Sequence, residues 1–155
     1  MSRSLRRLLF AAGVFALQWL ILGRLRIYGT YPDGVMLFLT WYALHEGRKR
    51  GTATGFALGL AMDTVYGTWG IHMFVKTLVG FFVGRFSVDE RKPLLIQPQQ
   101  ALLGALAIAI LHNGLLVILL ALQTEATNAF LVYGLWLGSA AYTAAVAYVA
   151  ALFTQ

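Results

Sequence analysis

The sequence predicts an all-α, polytopic membrane protein: six transmembrane helices in one bundle, with the N- and C-termini both cytoplasmic. Three observations predict it. The residues AVILMFWYC make up 59% of the 155-residue chain and charged residues only 12%, against roughly 45–50% and roughly 25% in soluble domains. Mean hydropathy is +0.72. The charges stand in short clusters between apolar runs, and the runs can be measured against the roughly 20 residues that cross about 30 Å of hydrocarbon. A chain of this length has room for a single transmembrane domain, residues 1–155.

The first helix is expected over residues 5–23. It follows Arg3, Arg6 and Arg7 as a signal peptide would, but Gly23 leads straight into Arg24 with no small-residue cleavage site, so it reads as a retained span. The second, 33–45, opens at Pro32-Asp33: proline lacks a donor the first turn does not need, and a carboxylate suits the positive helix end. The second helix ends before His45-Glu46-Gly47-Arg48-Lys49-Arg50-Gly51. From Gly51 to Gly84 the only charges are Asp63 and Lys76, and one straight helix of that extent would be about 50 Å long. A break is therefore placed at Gly67-Thr68-Trp69-Gly70, giving helices at 52–66 and 71–85. A polar loop at 87–93 precedes the fifth helix, 99–122, and a polar turn at 123–128 precedes the sixth, 129–153. The short middle helices should be shielded by neighbours and the long last two should tilt. A re-entrant second segment is the rival, and it would put the first two arginine clusters on opposite sides of the bilayer.

Orientation follows from lysine and arginine, which are retained on the cytoplasmic side. One side carries Arg3, Arg6, Arg7, Arg48, Lys49, Arg50, Arg85, Arg91 and Lys92; the other carries only Arg24 and Arg26. Both termini are thus expected inside, in a multi-pass protein of the cell inner (plasma) membrane. The net charge of +6 is accounted for by these clusters, so no nucleic acid is expected as a partner. The absence of cysteine removes disulfide and thiol chemistry.

Two sets of residues stand out. Gly51, Gly55 and Gly59 recur every four residues and fall on one face of the third helix; Gly80 and Gly84 repeat the spacing on the fourth, and Gly134 and Gly138 on the sixth. Glycine lets another backbone approach closely in lipid, either within this chain or from a docking partner. Asp63, His72 and Lys76 are the informative polar residues at membrane depth, joined by His112, which lies with Asn113 mid-way along the fifth helix; a charge there is costly unless paired. His72 and Lys76 share a helical face, and Asp63 lies across a short turn from them, so a local Asp63–His72 or Asp63–Lys76 contact is natural. The set forms either a satisfied buried network or a site for a ligand or proton. One aspartate and two histidines on separate helices fall short of a zinc site. No nucleophile elbow, metalloprotease helix or phosphate-binding loop occurs, and neither an enzyme nor a cofactor is expected.

The order Pro32-Asp33, Arg48-Lys49-Arg50, Gly55-Phe56-Ala57-Leu58-Gly59-Leu60-Ala61-Met62-Asp63, Gly67, Gly70, His72 and Gly80…Gly84-Arg85 resembles the rod shape-determining protein MreD family of bacteria. The resemblance covers about residues 32–85; Lys76 has no firm counterpart in it. It implies a non-enzymatic membrane component of the cell-wall elongation machinery. Its implied partners are MreC, through that protein's membrane helix, then MreB, RodA and a class B penicillin-binding transpeptidase, with membrane lipids around it. A second copy of the chain could also use the glycine faces. The family is in turn similar to the substrate-binding subunits of energy-coupling-factor transporters, which makes a small-molecule or lipid-binding protein of the vitamin-uptake type the alternative function.

Overall fold

The computed structural model describes residues 3–87, 97–124 and 128–153, which are helical with no strand among them. α1 (Arg3–Leu17) continues into a π-helical turn (Gln18–Leu22). A short loop then pairs the backbones of Ile27 and Thr30 around Tyr28 and Gly29, both at positive φ. α2 (Gly34–Tyr66) is followed by α3 (Ile71–Val83) with its 3-10 turn (Gly84–Phe86). α4 (Pro98–Thr124), a π-helical stretch (Leu131–Gly138) and α5 (Ser139–Leu152) complete the chain. Most of the polar loop expected at 87–93, and residues 125–127 of the later turn, lie outside the described residues.

α2 is two rods rather than one. Gly47 stands at φ 79 and ψ −179, a conformation that glycine adopts without steric cost. The chain folds back there: a Cβ on Gly51 would lie 2.8 Å from the Cβ of Ala43, whereas eight residues of unbroken helix would separate them by about 12 Å. The first arm, 34–46, and the second, 48–66, therefore form a hairpin turned by one residue. A loop across 46–51 was expected from the run of charges, with the next helix from Thr52. Instead a single left-handed glycine reverses the chain, and Arg48, Lys49 and Arg50 already ride on the second arm.

The first arm is the centre of the bundle, with Val35, Met36, Leu39 and Ala43 fully buried. One face packs Val35, Phe38 and Leu39 with Leu58 and Met62 of the second arm and Val79 of α3. The opposite face sets Met36 against Ala109 of α4 and Ala140 of α5. At about 20 Å this arm is shorter than a bilayer core, and neighbours cover it on both sides. Along α3 the second arm approaches to backbone contact. A Cβ on Gly55 would strike the carbonyl of Lys76, one on Gly59 the backbone of His72 and Met73, one on Gly80 the carbonyl of Gly51, and one on Gly84 the backbone of Arg48. These glycine faces are filled from within the chain. Gly134 is occupied by the ring of Phe130, and Gly138 by Thr30.

Polarity is distributed the opposite way from a water-soluble domain. Asp63 and Lys76 have no exposure, while Phe74, Leu103, Leu111, Ile118 and Tyr133 are each at least half exposed. Apolar surface on this scale marks contact with something other than water. Two helices, Pro98–Gln123 and Leu131–Leu152, are long and apolar enough to cross a membrane.

Candidate functional site

Asp33 is built into the start of α2 by local chemistry. Its Oδ1 accepts the Met36 N–H at 2.7 Å, the N-cap bond that satisfies one of the donors left over at a helix start. Gln18, the first residue of the π-helical turn, clamps the same stretch: its Nε2 donates to the Pro32 carbonyl at 3.1 Å and its Oε1 accepts the Gly34 N–H at 2.7 Å. The Asp33 N–H donates to Thr143 Oγ1 of α5 at 3.0 Å, and that hydroxyl donates onward to the Ser139 carbonyl at 2.7 Å. In the loop just ahead, burial and the Asp33 carboxylate push the Tyr31 hydroxyl up to about 12, so it stays neutral, and its ring stacks on Tyr66.

Asp33 Oδ2 then receives the ammonium of Lys76 at 2.5 Å. Lys76 is fully buried and the Asp33 side chain only 11% exposed. Lys76 Nζ also lies 3.2 Å from His112 Nε2 on α4, whose Nδ1 is 2.8 Å from Asn113 Oδ1. An ammonium only donates, so Nε2 must accept, and Nδ1 must carry the proton given to Asn113. The network thus assigns a neutral imidazole in one tautomer. Asn113 Nδ2 donates to the Trp136 carbonyl at 3.4 Å, and Trp136 Nε1 returns a bond to the Ile110 carbonyl at 2.9 Å. One connected polar hub therefore ties the end of α1, the start of α2, α3, α4, the π-helical stretch and α5.

Asp63 serves a different end. Its Oδ1 accepts from Thr68 Oγ1 and the His72 N–H, and its Oδ2 from the N–H groups of Gly70 and Met73, all at 2.9–3.0 Å. Gly70, the N-cap of α3, has no side chain to offer, and the preceding helix supplies the cap from a distance. The carboxylate faces the positive end of α3, where a negative charge is stabilised. Of the two contacts expected for Asp63, the one with His72 forms through the His72 backbone N–H, and the one with Lys76 does not, because Asp63 is saturated by three backbone donors and the Thr68 hydroxyl while Lys76 turns to Asp33. The His72 ring lies 5.9 Å from that of Tyr66, and its buried Nδ1 has no hydrogen-bond partner among the described residues.

A second charged cluster sits at the opposite end of the α2 hairpin. The Glu46 side chain, 1% exposed, is held by Arg7 of α1 at 2.5 Å and by Arg50 of the second arm. Sequence reasoning counted Arg7 and Arg50 only as topology charges and gave Glu46 no role. It also passed over Gln18 and Thr143, which no helical periodicity singles out. A lone glutamine in an otherwise apolar first helix was the available signal. No group of three or more His, Asp or Glu side chains that could hold a metal occurs among the described residues.

Comparison with curated proteins and with solved structures returned no match. The family model described as rod shape-determining protein MreD matches residues 5–155, which takes in α1, the hub, the glycine-lined hairpin and the last two helices that the shorter sequence resemblance left unassigned. The chain belongs to the rod shape-determining protein MreD family.

Proposed function

We propose that this chain is a non-enzymatic membrane component of the bacterial cell-wall elongation machinery, crossing the inner membrane six times with both termini inside. Family membership implies a role in rod-shape determination, as a shape-determining structural component associated with the MreB and MreC system. Its closer engagement would be with the membrane helix of MreC, and with MreB, RodA and a class B penicillin-binding transpeptidase around it. The observation that carries a structural role is the way the buried charges are used. Lys76, Asp33 and His112 converge on one another, and Asp63 is spent on capping α3, so these groups fasten helices together. A six-span arrangement is supported by the Gly47 hairpin, which divides α2 into two rods, and by the nine-to-two bias of basic residues.

Purification of the tagged protein from native membrane tests this. Recovery with MreC and cell-wall synthases is the expected result. Recovery without them, but with a tightly held vitamin or an ATPase coupling complex, would overturn it in favour of the vitamin-uptake type of binding protein. One observation favours that second reading: the buried, unpartnered Nδ1 of His72 is the kind of group a polar ligand could satisfy.

A further inference from the structure

At the Gly47 end of the hairpin, the fold brings together two arginines that are far apart in sequence. A Cβ on Gly84 would lie 2.6 Å from the Arg48 Cα, so the start of the second arm rests directly on the 3-10 turn that ends α3. Arg48 lays its guanidinium 5.1 Å from the centre of the Phe81 ring, and Arg85 follows Phe81 by one helical turn. A guanidinium stacked on a ring is held in place while its N–H groups stay free to donate in their own plane. Both arginines are exposed, and neither side chain meets a carboxylate or a carbonyl acceptor among the described residues. Glu46, the one described carboxylate at this end, is taken by Arg7 and Arg50. The run Asp89-Glu90-Arg91-Lys92 carries two charges of each sign.

The same arginines border an apolar face. The Phe81 ring meets that of Phe82 edge-on at 5.4 Å, and Phe82 and Phe86, one turn apart, are 55% and 76% exposed. From Ile71 to Phe86, α3 and its 3-10 turn rise about 23 Å, short of a hydrocarbon core of about 30 Å. On the six-span reading, on which this step rests, so short a span draws the bilayer surface down to its flanking basic residues. Arg48 and Arg85 then stand at the level of the headgroup phosphates, with Phe82 at acyl depth beneath them. A soluble acidic partner could reach the arginines but not Phe82. A phospholipid presents an anion and a hydrocarbon tail in that order.

We propose that Arg48 and Arg85 bind the phosphate of one anionic phospholipid whose acyl chain lies against Phe82. Native mass spectrometry of the full chain, delipidated and re-equilibrated with phosphatidylglycerol or phosphatidylethanolamine, tests it. Phosphatidylglycerol should be retained about 25-fold better, from roughly fivefold for each basic group at an anionic surface. Arg85→Gln, an exposed and unpaired site, should cut that preference about fivefold, and Arg48→Gln/Arg85→Gln should bring the two lipids level. Arg24→Gln, at the other end of the bundle, should leave it unchanged. Equal retention of the two lipids by the wild type would overturn the proposal. So would an undiminished preference in folded Arg85→Gln protein, or an equal loss in Arg24→Gln, which would mean general charge attraction only. A photocrosslinker at position 82 should capture phospholipid in native membrane; capture of a protein instead would overturn it as well. Labelling of a Lys49→Cys variant from outside the cell would refute the proposed orientation while leaving lipid retention in detergent intact, so the two failures are distinct.

Discussion

Replacing Lys76 by methionine is the sharpest perturbation of the hub. The apolar stem keeps nearly the same length, but Asp33 Oδ2 loses the ammonium that sits 2.5 Å away. Lys76 is 0% exposed and the Asp33 side chain 11%, so water cannot replace the lost partner. His112 Nε2, 3.8 Å from the same oxygen, loses the donor it accepts from. Removing one member of a buried pair costs about 3–5 kcal/mol. At about 2–4 °C per kcal/mol for a chain of this size, the Tm should fall by roughly 6–20 °C. The Asp33→Asn/Lys76→Met double variant removes both charges. It keeps Oδ1 available for the Met36 cap and places an amide where it can serve His112. Its Tm loss should be smaller than that of Lys76→Met alone. The assay is thermal unfolding of the wild type, both single variants and the double in one detergent. Additive losses would refute the coupling and with it the reasoning from geometry.

Other outcomes follow from the same contacts. Gly55→Leu and Gly80→Val should each break the α2–α3 contact and lower membrane levels of the protein, because a Cβ at either site meets backbone and overpacking costs about 1–3 kcal/mol or more. Gly13→Ala and Gly104→Ala, in open helical positions, should instead be neutral or stabilise by about 0.5–1 kcal/mol, read from the same Tm series. Asp63→Ala strips four donors of their acceptor and should cost more than the usual ~0.5–2 kcal/mol of a lost cap. It should also speed hydrogen exchange over the first turn of α3; unchanged exchange there would contradict the capping role. Because the chain has no cysteine, Tyr28→Cys and Trp69→Cys can be labelled singly. Both should react with an impermeant reagent from outside the cell and Lys49→Cys only after permeabilisation.

The glycine pattern could be read from sequence because helical periodicity is local: residues four apart share a face whatever the tertiary fold, and Gly51, Gly55 and Gly59 do line one contact with α3. Partner choice among buried charges was not legible in the same way. Asp63 and Lys76 are close in sequence and of opposite sign, but the turn between them presents backbone N–H groups that saturate Asp63 first. Lys76 finds its partner 43 residues away, in an aspartate whose helix-start role was sufficient explanation by itself. The reversal after the second helix was legible, but its tightness was not: the charges read as a loop across 46–51, whereas a single φ near +80° at Gly47 does the turning. Glu46 carried no role in the sequence beyond its place in the run that follows the second helix, and α1 brings Arg7 across it. Contacts between elements distant in sequence decided each of these outcomes, and no periodicity encodes them.

The central claim is that the hub serves shape determination by holding the bundle together, with no chemistry or ligand of its own. Cells depleted of their own MreD and supplied with the Asp33→Asn/Lys76→Met variant, at membrane levels matched to the wild type, test it by morphology. Restored rods are predicted. Round cells containing a folded, membrane-inserted double variant would contradict it, showing that the buried charges act in function beyond the fold.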